Sequence, residues 1–290
     1  MKYVFIVNPT AGGGQAQKIA DNIATICEEE NLDYVIHNTT APKEATELTK
    51  SYQYEENIIY SVGGDGTLSE VVNGIVGSKN KLGVIPAGSG NDFYKTIKDF
   101  DDGDFVIDVG KVNDLYFLNI LSFGIDAEIG GNAELFKNKL LIPKSQIYNM
   151  SMIYTLIKFK SKKMEFTLDG ESVSGKYTIV TVCNGGYYGN GYNISPNAKL
   201  NDNVFDIYFV NKLSKFSIIK LVPKLKKGTH EASKHVNKRM GKSIQVKTDK
   251  DIVCNIDGEI FHGNSFDVEL IPNAITLSNN KSLVKKILRK

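Results

Sequence analysis

Three glycine-rich turns hold the residues with the most chemistry to offer, and each stands where a strand signal gives way to a helix signal. The most informative is Val62-Gly63-Gly64-Asp65-Gly66-Thr67-Leu68-Ser69-Glu70. Glycines let backbone N–H groups approach phosphate oxygens, and a helix N-terminus adds positive potential there. Asp65, in the middle, is of the type that holds Mg²⁺ directly or through water. The second turn, Pro86-Ala87-Gly88-Ser89-Gly90-Asn91-Asp92-Phe93, repeats the logic with hydrogen-bonding groups on Ser89 and Asn91 and a second carboxylate on Asp92. The third, Asn8-Pro9-Thr10-Ala11-Gly12-Gly13-Gly14, lies near the amino end. It lacks the Gly-x-x-x-x-Gly-Lys-Thr of a P-loop. It also lacks Gly-x-Gly-x-x-Gly followed about twenty residues later by an acid. Phosphate-cradling loops without either motif indicate a nucleotide site of another kind. A candidate base occurs twice, in Asp169-Gly170-Glu171 and in Asp257-Gly258-Glu259, and spacing alone does not choose between them.

The elements that must position these turns alternate over the first 120 residues. Strands are predicted over 3–7, 34–36, 57–62 and 82–85, and helices over 15–30, 42–51 and 66–76, from apolar spacing at the two periods. Alternation of this kind implies parallel βαβ units, whose ligands sit at the carboxyl ends of strands. Past residue 120 the pattern turns β-rich and antiparallel, with one helix over 146–160 and a basic helix over 216–227. Strands are predicted over 164–168, 176–183, 204–210, 243–247, 252–256 and 266–270. Asp169-Gly170 reads as a hairpin turn between the first two. The fold class is therefore a two-domain α+β protein: an α/β N-terminal domain with a parallel sheet over 1–120, then a β-rich antiparallel domain over 121–277. Residues 278–290 form a segment that packs back on the first domain.

Composition excludes other classes. Across 290 residues, 41% are apolar and 23% charged, the balance of a folded globular chain rather than a disordered one, a collagen or a coiled coil. No run of eighteen apolar residues marks a membrane span. Asn8-Pro9 interrupts the apolar start too early for a signal peptide. Cys27, Cys183 and Cys254 are odd in number and far apart, which implies a reduced cytoplasmic chain without disulfides or a zinc site. Net charge is only +2, but ten Lys or Arg against Glu231 alone lie between Lys212 and Lys242, and five more crowd the last ten residues. This is either a solvated face or a landing patch for an anionic surface. Leu283, Val284, Ile287 and Leu288 give the tail an apolar stripe that suits either membrane contact or packing on the first domain. His230 reads as a surface histidine.

The order of motifs resembles the diacylglycerol kinase catalytic family of lipid kinases. It is carried by Asn8-Pro9-x-x-Gly12, the Gly63 to Thr67 and Gly88 to Phe93 turns, and Asp108-Val109-Gly110-Lys111. It continues through Ser195-Pro196-Asn197-Ala198-Lys199-Leu200-Asn201-Asp202 and Asn255-Ile256-Asp257-Gly258-Glu259, and so covers almost the whole chain. The resemblance implies ATP between the domains, against Asn8, Thr10, Gly12, Thr40, Gly63, Gly64, Asp65, Gly66, Thr67, Leu68, Ser69 and Ser89. It implies that Asp65, Asp92 and Asp108 organise a catalytic Mg²⁺. Lys199, Asp202 and Val204 match a second, structural Mg²⁺ site, with carbonyls from Lys199 and Val204. Glu259 matches the general base. The sequence departs from the family at Ser89 for Thr, Ser69 for Asn and Asn203 for Gly, and lacks an arginine for which Lys18 is the nearest substitute.

The resulting expectation is an ATP- and Mg²⁺-dependent lipid kinase, transferring the γ-phosphate to diacylglycerol to give phosphatidic acid. It would be a cytoplasmic enzyme that visits the anionic inner membrane surface, without nucleic acid, with a homodimer common among bacterial relatives. The alternatives are an NAD kinase, a kinase of phosphatidylglycerol, a polyprenol or a sphingoid base, and a non-catalytic lipid-binding regulator. An NAD kinase would be expected to carry Asn-Glu after its second loop, where this chain has Asn91-Asp92-Phe93.

Overall fold

The computed structural model describes residues 1–137 and 146–289. Strands β1 (Tyr3–Val7), β2 (Tyr34–Asn38), β3 (Ile58–Gly63) and β4 (Lys81–Pro86) are joined by helices α1 (Gln15–Glu29), α2 (Glu44–Ser51) and α3 (Asp65–Ile75). Helical crossovers allow parallel neighbours. β1 pairs parallel with β2 and β3, and β3 with β4. Helices cover both faces, so β1 is apolar on both. Val4 and Ile6 pack among side chains of α3, while Phe5 and Val7 pack among those of α1.

After α4 (Asp92–Ile97) the connections become tight turns, and pairing reverses. The hairpin of β5 (Gly103–Val112) and β6 (Leu115–Phe117) turns through Asn113, at φ 51°. β7 (Ile120–Gly124) leads into α5 (Ile125–Lys137), and α6 (Ile147–Lys158) precedes β8 (Lys162–Leu168) and β9 (Glu171–Cys183). A short hairpin, β10 (Tyr187–Tyr188) and β11 (Tyr192–Asn193), comes before β12 (Phe205–Asn211), α7 (Lys215–Lys227) and β13 (Val236–Gly241). The chain ends with β14 (Ser243–Ile256), β15 (Glu259–Asn279) and α8 (Lys281–Arg289). Both Asp-Gly pairs are two-residue hairpin loops with positive φ at each residue: Asp169 and Gly170 join β8 to β9, Asp257 and Gly258 join β14 to β15.

The expected parallel first sheet is only part of what forms. One sheet of thirteen strands runs through the chain, and its pairing is antiparallel except among β1–β4 and at the end of β15. β15 is the reason. Its 21 residues pair with β14 over the first half, from Glu259 to Glu269, with β5 over the second, from Val268 to Asn279, and with β4 through Thr276 and Leu277. The strand predicted over 266–270 is its middle. The two strands predicted over 243–247 and 252–256 are the ends of β14, with a register shift between Lys247 and Ile252. Tail residues Leu283, Val284 and Ile287 are buried among α1 side chains, and Asn22 donates to the Ile287 carbonyl at 3.2 Å. Lys290 lies outside the described residues. His230, read as a surface group, is buried beside Tyr208, their rings 5.4 Å apart. All three cysteines are buried and free.

Candidate active site

β1, β3 and β4 end side by side, so the three glycine turns that follow them meet at one edge of the sheet. Their contact is backbone against backbone. A Cβ on Gly88 would stand 2.3 Å from the Gly64 Cα, and one on Gly12 would stand 2.3 Å from the Ala87 carbonyl oxygen. The Ala87 N–H also donates to the Gly63 carbonyl at 2.8 Å. The result is a cleft of about 470 Å³. From the first domain it is lined by Asn8, Gly12, Gly64, Asp65, Gly66, Thr67, Ser89 and Asp92. The second domain contributes Asn119, Tyr188, Asn190, Asp257 and Glu259.

Asp65 is the hinge of this arrangement. Its Oδ1 accepts the backbone N–H groups of Asp92 at 2.7 Å and Phe93 at 3.4 Å, capping α4 from the neighbouring turn. Burial, then the nearby Asp92, push the Asp65 carboxyl above its ordinary range, opposed by those two N–H groups and by Lys95. A Cβ on Gly90 would stand 2.5 Å from Asp65 Oδ2, so the absence of a side chain keeps that oxygen clear. Asp92 is buried, accepts from Lys95 Nζ at 2.9 Å, and accepts from the Asn190 N–H at 2.8 Å. That last bond ties α4 to the β10–β11 hairpin of the second domain.

Glu259 stands exposed at the mouth of the cleft, at the start of β15. Partial burial and then Glu70 push its carboxyl up, and Lys43 draws it down. Asp257, two residues before it, is fully occupied. Its oxygens accept from the N–H groups of Leu118 at 2.7 Å, Asn119 at 3.0 and 3.2 Å, and Ile120 at 2.8 Å. Burial pushes its carboxyl up to about 7 against those same N–H groups. Asp257 thus fastens the hairpin to the start of β7 and fixes where Glu259 emerges. The other Asp-Gly-Glu is elsewhere: Glu171 has an 80% exposed side chain, 3.5 Å from Arg239, and takes no part in the cleft.

Several expected residues are not in the lining. Thr40 is exposed, and its N–H and hydroxyl both donate to Glu44, at 2.6 and 2.9 Å. Thr10 donates to Asn8 Oδ1 from its N–H at 3.2 Å and its hydroxyl at 2.9 Å, holding the first turn rather than facing the cleft. Gly63 is buried because Thr67 packs on it; a Cβ there would meet Thr67 Oγ1 at 2.4 Å. Leu68 lies in the core under α3, and the Ser69 carbonyl accepts from Asn73 at 2.9 Å.

Asp108, the third carboxylate expected around the catalytic cation and its waters, is not in the cleft lining. It is buried on β5, accepting from the N–H groups of Asn203 at 2.8 Å and Asn273 at 2.9 Å. It joins the β12 approach loop to β15. In that loop Lys199 and Asp202 are exposed and Val204 is half-buried. Asp202 sits near Asp206 and Asp108 and is raised mainly by burial, with the Val204 N–H opposing. Asp206 is already engaged by Ser195 and by Lys238 at 2.8 Å, so Asp202 alone supplies a carboxylate to this loop. Asn203, where the family carries glycine, adopts φ 60°, a left-handed conformation that asparagine tolerates better than other side chains.

Among the described residues no three His, Cys, Asp or Glu converge on one point. Asp65 offers the cleft a clear Oδ2, and Asp92 beside it would join a Mg²⁺ only by giving up Lys95, with substrate phosphates completing the shell. Tyr188, Asn190 and Asp257 were missed as cleft residues. Gly189-Asn190-Gly191, all at positive φ, was the legible signal of a tight turn there. No helix among the described residues is long and apolar enough to cross a membrane.

Comparison with known proteins agrees over the same span. Residues 2–112 match the diacylglycerol kinase catalytic domain, and residues 119–279 match the YegS C-terminal NAD kinase beta sandwich-like domain. A diacylglycerol kinase of Bacillus subtilis (strain 168) is 28% identical over 270 residues, 88% of each chain. A solved Bacillus anthracis structure superposes with a TM-score of 0.77 at 24% identity, over 97% of this chain and 96% of that one. A second, of a diacylglycerol kinase from the same organism, gives 0.71 at 23%, over 97% and 98%. With both halves of the chain matched in order and the glycine turns assembled into one cleft, the chain belongs to the diacylglycerol kinase family of lipid kinases.

Proposed function

We propose that the cleft binds ATP with Mg²⁺ and transfers the γ-phosphate to the hydroxyl of a lipid alcohol, diacylglycerol first among them. The observation that carries this reading is a second cavity, of about 300 Å³, that shares Tyr188 and Gly189 with the nucleotide cleft. Its wall is apolar, built from Ile125, Ile129, Met152, Leu156, Ile179 and Leu221 among others, and it suits an acyl chain. An acidic side chain, Asp126, stands in its lining. Asp126 is half-buried at the start of α5 and accepts from the Tyr188 hydroxyl at 2.6 Å, with Ser122 and the Ala127 N–H also holding its carboxylate.

Phosphoryl transfer asks for positioning and charge neutralisation more than covalent help. The glycine turns present backbone N–H groups to the phosphates, and Asp65 and Asp92 are the residues that would hold Mg²⁺. The cation, when bound, neutralises charge on the phosphate oxygens. Glu259 takes the proton from the acceptor hydroxyl, and Asp257 positions it. The NAD kinase alternative is disfavoured by Asn91, whose amide is spent inside its own turn. It accepts from the Gly88 N–H at 3.0 Å and donates to the Gly88 carbonyl at 2.7 Å.

The test is transfer of labelled γ-phosphate from ATP with Mg²⁺ to a panel of lipid alcohols in mixed micelles, with NAD included. Labelled phosphatidic acid is expected. Asp65→Asn keeps an oxygen to cap α4 but loses the charge, so it should lose at least about 10³-fold in rate while melting within a few degrees of wild type. Label in NADP alone, or full activity in Asp65→Asn, would overturn the reading.

A further inference from the structure

α6 is built inside out. Its polar residues Ser151 and Thr155 are buried at 0% and 1% exposure, while Ile153 and Ile157 are 54% and 60% exposed and Met150 is 41% exposed. Two hydrogen bonds tie the inward face to α5: Ser151 Oγ donates to the Ile129 carbonyl, and Asn132 of α5 donates to Thr155 Oγ1 at 2.9 Å. A helix on an ordinary protein surface shows the opposite pattern, apolar in and polar out. The outward face of α6 is made for a medium less polar than water.

α7 extends that face. Lys215 Nζ donates to the Ile157 carbonyl and joins the two helices. Phe216 and Ile219 of α7 are 67% and 53% exposed, beside that junction. Around them stand the exposed lysines Lys215, Lys220, Lys224, Lys226 and Lys227. Lys220 Nζ lies 4.4 Å over the Phe216 ring. Neither helix contains a single Asp or Glu. Apolar side chains framed by lysines without acidic neighbours match a bilayer interface, where the stems enter the acyl boundary and the ammonium groups meet anionic headgroups.

The face is also continuous with the apolar cavity. Ile153 and Ile219 line that cavity and are exposed, so its mouth opens between α6 and α7 onto this surface. We infer that the α6–α7 face docks on an anionic lipid bilayer and sets the cavity mouth against the membrane plane. As the entry route of the acceptor, it rests on the lipid-kinase reading above; as a membrane contact, it is tested without catalysis.

The experiment is co-sedimentation with phosphatidylcholine vesicles, with and without phosphatidylglycerol, in the absence of nucleotide. Wild type should partition to the anionic vesicles and much less to the neutral ones. Ile157→Ser with Phe216→Ser, two exposed positions outside the cavity wall, should lower partitioning at least about tenfold. Lys220→Ala with Lys224→Ala and Lys227→Ala should lower it about 100-fold, at about fivefold per lysine. Melting temperatures of both variants should match wild type, and transfer to a short-chain diacylglycerol dispersed as monomers should be unchanged. Variants that bind vesicles like wild type would overturn the inference. So would a wild-type dimer dissolved by the apolar double variant with vesicle binding intact, since the face would then be a self-contact. If wild type binds anionic vesicles and the variants lose that binding, but no kinase activity is found, the docking face stands and only the lipid-kinase reading falls.

Discussion

Two identical triplets show how one side chain acquires a role from its surroundings. Asp169 and Asp257 do the same structural work, each taking backbone N–H groups from a neighbouring segment at a hairpin tip. Glu171 then emerges into solvent, whereas Glu259 emerges at the cleft mouth. A general base acts in its deprotonated form, and a raised pKa moves the acid limb of kcat/KM upward in pH. Activity should therefore fall with decreasing pH at a point above the ordinary glutamate value of about 4.3, as the Glu259 carboxylate is protonated. Glu259→Gln should remove that limb and cost about 10² to 10⁴ in kcat, and Glu171→Gln should stay within about twofold. Steady-state kinetics across pH decides it, and the reverse ranking would place the base on the other hairpin. The choice between the triplets was not legible in spacing, because the segment around residue 118 that Asp257 grips is far away in sequence.

Elements with local signals were the ones the sequence disclosed. β1, β3, α1 and α3 announce themselves by period and by the glycine that separates them. β5 and α5 did not. In β5 the apolar alternation is broken by Asp108, which holds two distant N–H groups, and by Gly110, where a Cβ would stand 2.1 Å from the Phe117 ring. In α5 the pair Gly130-Gly131 argues against a helix, yet a Cβ on Gly130 would meet Ile260 Cδ1 at 2.5 Å. Both elements exist because of partners the local sequence does not contain. The loop before β12 is a milder case. Asn203 pays for a left-handed backbone that glycine would adopt freely, and its N–H reaches Asp108 only from that conformation. Asn203→Ala should cost about 1 kcal/mol in urea unfolding, while Asn203→Gly should be neutral or slightly stabilising. An alanine variant as stable as wild type would show that the loop has another way to seat Asp108.

At the scale of the molecule, the change of pattern near residue 120 was legible, but the single strand that runs through both patterns was not. β15 contributes Val268 and Leu270 to the core of the second domain and Ile275 and Leu277 to that of the first. The next element, α8, returns to α1, so the last thirty residues or so stitch the chain in both directions. A molecule built this way should unfold as one cooperative unit, because the first domain cannot release β15 without opening the edge of β14 and β5. Ile287 tests the stitching, since it is fully buried against α1 and far from both cavities. Ile287→Ala should destabilise the protein by about 2–5 kcal/mol. Calorimetry should show a single transition moved to lower temperature. A split into two transitions would mean that the strand shared by the domains does not couple them. The same variant should bind anionic vesicles as well as wild type does, because Leu283, Val284 and Ile287 face α1, and of the stripe only Leu288 stands outside, beside Lys285, Lys286 and Arg289.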